Sequence, residues 1–171
     1  MRKVKIVSIF LVLFIALSSA VEMSEMATKT SSLVIKGYVF EGDKEVDGAL
    51  VKLYQNNKVV QMKKTKKSKF QFILFSGMRY MVEINKAGSI TERIQISTEE
   101  KTQFGGKYLY EFKVDLMNTN KFKGVDISNL DFPTAIIKYN KDDGEYKHDA
   151  AYSKQVKLDL KKLRVEAQAK R

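Results

Sequence analysis

Between Tyr108 and Leu116 the chain alternates in twos: Tyr108, Tyr110, Phe112, Val114 and Leu116 fall on one face of an extended segment, with Glu111, Lys113 and Asp115 on the other. A strand built this way has one wet face and one face that must be buried. The same period runs through Leu33 to Phe40, Ala49 to Tyr54, Val59 to Lys63, Phe70 to Phe75, Tyr80 to Asn85 and Ile90 to Ile96. Ala49, Val51 and Leu53 point inward in one of these runs, and Phe70, Phe72 and Leu74 in another. Seven short strands at this density predict an all-β, seven-stranded antiparallel sandwich of Ig-like type. The connections agree: Gln55-Asn56-Asn57-Lys58 offers two residues that tolerate positive φ, a hairpin signal. Ser76-Gly77, Ala87-Gly88-Ser89 and Phe104-Gly105-Gly106 punctuate the later strands.

Composition narrows the chemistry. The 171 residues contain 44% hydrophobic side chains, enough for a core, and 31 Lys and Arg against 20 Asp and Glu, a formal charge of +11. With no cysteine there is no disulfide framework, thiolate metal site, cysteine nucleophile or cysteine-linked lipid, and one histidine excludes a multi-histidine metal site. Arg2, Lys3 and Lys5 precede the apolar run Ile6 to Leu17 and the small residues Ser18, Ser19 and Ala20. That order predicts a secretory signal over 1–20, cleaved after Ala20. The apolar run is shorter than the roughly 20 residues a membrane-spanning helix needs. A flexible stretch over 21–31 is expected to lead into the sandwich.

Further along, Ile35, Gly37 and Val39 are followed by Val46-Asp47-Gly48-Ala49, by Val51, Leu53 and Tyr54, by Phe70 and Phe72, by Gly77 with Tyr80, Val82 and Ile84, and by Lys86-Ala87-Gly88. This set, within Ser32 to Ile96, resembles the carboxypeptidase regulatory-like domain and its transthyretin-like (prealbumin-like) sandwich. The resemblance implies a sandwich over 32–117 and no particular activity. Two places depart from the family pattern. Thr65-Lys66-Lys67-Ser68-Lys69 stands where a Thr-Asp and a Gly are usual, making that tip cationic, and Gly88-Ser89 replaces the frequent Gly-Tyr. Transthyretin-like hydrolases also need several histidines and a C-terminal motif that this sequence lacks. Residues 118–151 resemble extensions of envelope proteins from Bacteroidetes-type bacteria. They predict one additional hairpin, Ala135 to Tyr139 returning through Glu145 to His148.

At Tyr152 the period changes. Tyr152, Val156, Leu160, Leu163 and Ala167 form a helical stripe over 152–171, with Ser153 or Asp149 placed to cap it. The remaining positions are strongly basic, and include Lys157, Lys161, Lys162 and Arg164. A second basic cluster, Lys58, Lys63, Lys64, Lys66, Lys67 and Lys69, sits in twelve residues without an acid. Each cluster reads two ways. The lysine hairpin is either a patch for an anionic partner or an edge whose charges prevent strand-to-strand aggregation. The helix either docks on a partner or packs on its own sandwich. Two acid-rich turns, Glu41 to Asp47 and Asp142 to Asp149, read first as turn preference and only second as the start of a calcium site, since neither has the spacing of an EF-hand loop. His148, beside Asp149, is the one candidate general base.

These readings predict a non-catalytic exported module, not an enzyme, with no cofactor and no metal. Its candidate partner-binding residues are Lys63, Lys64, Lys66, Lys67, Lys69, Lys157, Lys161, Lys162 and Arg164. The expected partner is an envelope protein or anionic envelope surface. Nucleic acid is disfavoured because no aromatic residues interleave the lysines. The periplasm is the expected location, with release to the medium as the alternative. A carbohydrate-binding module using Tyr38, Tyr54, Tyr139 or Tyr146 is the second reading, and a small hydrolase the third.

Overall fold

A computed structural model describes residues 32–99, 106–127, 130 and 132–170. The predicted signal and the stretch to residue 31 lie outside the described residues. Strand β1 (Ser32–Glu41) buries alternate side chains, among them Leu33, Ile35 and Val39. On one side it pairs antiparallel with β5 (Lys69–Phe75), and near its end with the two-residue β2 (Lys44–Glu45). On the other it pairs with β8 (Lys107–Asp115). The opposing sheet runs in the order β10, β9, β7, β6, β3, β4. Its strands are β3 (Leu50–Gln55), β4 (Lys58–Lys64), β6 (Arg79–Asn85), β7 (Glu92–Ser97), β9 (Ala135–Asn140) and β10 (Glu145–His148). The protein is thus an all-β sandwich with a C-terminal helix, α1 (Ala150–Ala169).

All seven expected strands are present. Their pairing, however, is not wholly antiparallel, which corrects the expectation: β1 with β8 and β7 with β9 run parallel. Tight hairpins force antiparallel neighbours, but long connections precede both β8 and β9 and leave their direction free. The strand expected from Ile90 begins at Glu92. Ile90 is diverted because its N–H donates to the Met117 carbonyl (2.8 Å) and its side chain joins Met117, Phe122 and Leu130 in a second apolar cluster. The expected hairpin of the extension forms β9 and β10, and continues the six-stranded sheet past β7.

Between the sheets the main core joins Leu33, Ile35, Phe72 and Leu74 to Val51, Leu53, Val82, Ile84 and Ile96. Two buried threonines pin the corners where the chain crosses between sheets. Thr65 Oγ1 donates to the Val46 carbonyl (2.8 Å) and accepts from the Ala49 N–H (3.0 Å), while Thr98 Oγ1 donates to the Phe75 carbonyl (2.7 Å). Helix α1 starts where Asp149 Oδ1 accepts the Tyr152 N–H (3.1 Å), and Tyr152 Oη donates to the Pro133 carbonyl (2.6 Å). Val156 and Ala167 are buried, and Leu160 and Leu163 pack on the second cluster. The helix therefore lies on its own sandwich.

Candidate functional site

The hairpin lysines stand on a sheet edge. Strand β4 is exposed at every position and pairs only with β3, and a bulge between its partners Leu53 and Tyr54 bends it. Lys63 lies opposite inward-facing Val51, so its side chain points over the open side of the core. There its ammonium stands 5.1 Å above the Phe72 ring and donates to the Gln71 carbonyl of β5 (2.6 Å). Thr65 and Ser68 are buried at the crossover to β5, and Asp47 Oδ1 accepts the Ser68 N–H (2.8 Å). Lys67 (φ +48°) and Ser68 (φ +60°) both take the left-handed conformation, where L side chains are disfavoured.

The result is a cleft of about 730 Å³ bordered by Lys63, Lys64, Lys66 and Lys69, with Lys36 and Tyr38 from β1. Of the five hairpin lysines singled out as candidates, the structure brings these four together. Lys67 does not border the cleft. Lys36 was missed: alternation along β1 turns it outward, but only the β1–β5 register, which sets it opposite Gln71, brings it to this edge. Glu111 partly balances it, accepting from Lys36 Nζ (3.0 Å) and Tyr38 Oη (3.1 Å). These two bonds, Lys36 foremost, hold the Glu111 carboxyl below its ordinary range. Lys69 lies 5.6 Å over the Tyr38 ring. Among the described residues no carboxylate pairs with Lys64, Lys66 or Lys69. What the arrangement can do chemically is attract and hydrogen-bond an anion.

The helix candidates divide differently. Lys157, Lys161 and Arg164 border a second cavity between α1, β7, β8 and β9, whereas Lys162 turns away and pairs with Asp159 (3.5 Å). Glu92 also borders this cavity and is buried. Burial pushes its carboxyl above the usual range. Thr134, through a hydrogen bond, opposes that, nearby Asp115 reinforces it, and Arg164 opposes it more weakly.

The other candidates are dispersed. Tyr146 is buried, not exposed, which corrects its place among the sugar-platform residues. It packs edge-on against Tyr108 and Tyr139 at 5.6 and 5.5 Å. Tyr38 and Tyr54 lie on different sheets, each with its hydroxyl on a carboxylate, Glu111 and Glu83 respectively. Asp149 does not orient His148: one carboxylate oxygen caps α1 and the other accepts from Lys138 Nζ (2.9 Å). Among the described residues no group of three acidic or histidine side chains converges to hold a metal ion, and no helix is long and apolar enough to cross a membrane.

No family model matches the chain, and no curated protein matches it. Solved structures similar to it include the Bacillus anthracis TIE protein (16% identity, 52% of this chain, TM-score 0.42), of which the chain spans only 18%. A DUF3823 family protein from Parabacteroides merdae matches 53% of the chain at 16% identity, over 47% of its own length, with TM-score 0.34. The dioxygenase domain of a dioxygenase carbohydrate-binding protein fusion from Streptomyces sp. SirexAA-E matches 52% of the chain at 16% identity, over 82% of its own length, with TM-score 0.35. Likeness at this level carries no function with it.

Proposed function

We propose that the protein is a non-catalytic, exported β-sandwich module of carboxypeptidase regulatory-like type that docks on an anionic component of the cell envelope through the lysine cleft. The observation that carries this reading is the convergence of Lys64, Lys66 and Lys69, without a carboxylate partner among the described residues, on one open cleft. A plain aggregation guard would need only Lys63, whose ammonium reaches from β4 to the Gln71 carbonyl of β5. The leader-like N-terminal segment supports export and, with it, the periplasm.

The test is capture of envelope components by the tagged protein at low and high salt, comparing wild type with Lys64→Glu/Lys66→Glu/Lys69→Glu. An anionic partner held by wild type at low salt, released at high salt and lost in the variant is the expected result. Capture that is unchanged by the triple substitution would refute the cleft as the docking surface.

A further inference from the structure

The cavity beneath α1 has a different character from the lysine cleft. It measures about 560 Å³, within the range of small-molecule sites, in a protein whose interior otherwise packs around two apolar clusters. Its walls come from both sheets and the helix. Ile94 and Ile137 belong to the six-stranded sheet, Phe112 and Val114 to β8, and Val156 and Leu160 to α1. The helix bridges the side where β8 ends one sheet and β7 and β9 continue the other.

Its charged groups are arranged unequally. Lys157, Lys161 and Arg164 lie four and three residues apart on one face of α1 and are exposed, whereas Lys113 of β8, though at the border, holds its ammonium 5.6 Å over the Phe40 ring. The two acids are already occupied. Glu92 is buried against Thr134 with Arg164 nearby, and Asp115 Oδ1 accepts the Gly42 N–H (2.8 Å). Lys157 and Lys161 have no carboxylate partner among the described residues. An apolar interior with unneutralised cations at its mouth complements a molecule that is apolar along its body and negative at one end.

We infer that this cavity binds a single-chain amphiphile with an anionic head, of the medium-chain carboxylate class, the chain lying among Ile94, Phe112, Ile137 and Val156 and the head meeting Lys157 and Lys161. The site is separate from the lysine cleft and does not depend on the function proposed for it.

The probe is decanoate, titrated calorimetrically into the full chain below its micellar concentration, with decyltrimethylammonium and butyrate as head and chain controls. Saturable one-to-one binding of decanoate is expected, with each control at least about tenfold weaker. Lys157→Glu/Lys161→Glu, both exposed at the rim of the cavity, should lower decanoate affinity about tenfold or more with the urea midpoint unchanged. Lys154→Glu/Lys162→Glu, and the triple cleft variant, should leave it unaltered. Methyl resonances of Ile94, Ile137 and Val156 should shift on titration. Absence of saturable binding, equal binding of the cationic amphiphile, or indifference to the Lys157/Lys161 reversal would each overturn the assignment. A cleft variant that loses envelope capture while keeping decanoate binding would separate the two sites.

Discussion

Gly37 sits in the middle of β1 with ordinary strand geometry, so its lack of a side chain answers to packing and not to backbone freedom. It is the register partner of Phe70, and a Cβ at this position would fall 2.1 Å from the Phe70 ring. The ring occupies the space that a side chain would need and makes an edge contact with Phe112 at 6.0 Å. Gly37→Ala is therefore expected to cost about 1–3 kcal/mol through overpacking, read as a lower urea midpoint with an unchanged slope. Phe70→Leu in the same chain should recover part of that loss, because the two sites share one volume. Additive losses in the double variant would show that the contact is not the cause. The sequence made Gly37 and the inward direction of Phe70 legible separately, through motif and alternation. Their collision was not legible, because it depends on how β1 and β5 are aligned.

Elements formed largely where local pattern specifies them. The Asn56–Asn57 hairpin, the alternating strands and the helix with its Asp149 cap all follow from residues near in sequence. The two parallel pairings do not, since nothing local distinguishes a strand that returns beside β1 from one that returns against it. The lysine cleft shows the same division. Its hairpin was readable as a charged turn, whereas the contribution of Lys36 required the pairing of distant strands. Strand β4 also makes a prediction of its own. It is an edge strand with Val59, Val60 and Met62 exposed, and Lys63 is the inward-pointing charge that closes the gap to β5. Lys63→Val should leave the fold intact but promote association of copies through this edge, seen as a concentration-dependent rise in mass by light scattering. If the variant stays monomeric at all concentrations, the bulge in β4, not Lys63, is what guards the edge.

Taken as one molecule, the sandwich and α1 enclose a carboxylic acid, Glu92, which shares the inward face of β7 with Ile94 and Ile96. Glu92 opens β7 and is only 4% exposed, with Thr134, Asp115 and Arg164 around it. Alternation with Ile94 and Ile96 sets Glu92 on the inward face of β7, but its enclosure there depends jointly on β8, the approach to β9 and the helix, which one strand could not show. Burial, the largest influence, raises its pKa in the folded protein above the value in the unfolded chain. Between those two values the folded state binds more protons than the unfolded state. Its stability therefore decreases as pH rises across that window, from the ordinary glutamate range upward, and is regained as pH falls back through it. Glu111 and Asp149, whose carboxyls are lowered by their partners, act in the opposite sense, and lose their contribution as pH falls through their folded values. The effect of Glu92 is thus isolated by difference. Urea midpoints of wild type and Glu92→Gln, compared across pH, should diverge above the glutamate range in favour of the variant, whose amide carries no charge to bury but can still meet Thr134. Parallel pH profiles for the two proteins would mean that Arg164 and Thr134 already compensate the buried charge in full. The helix would then stabilise Glu92 as an ion and not merely cover it.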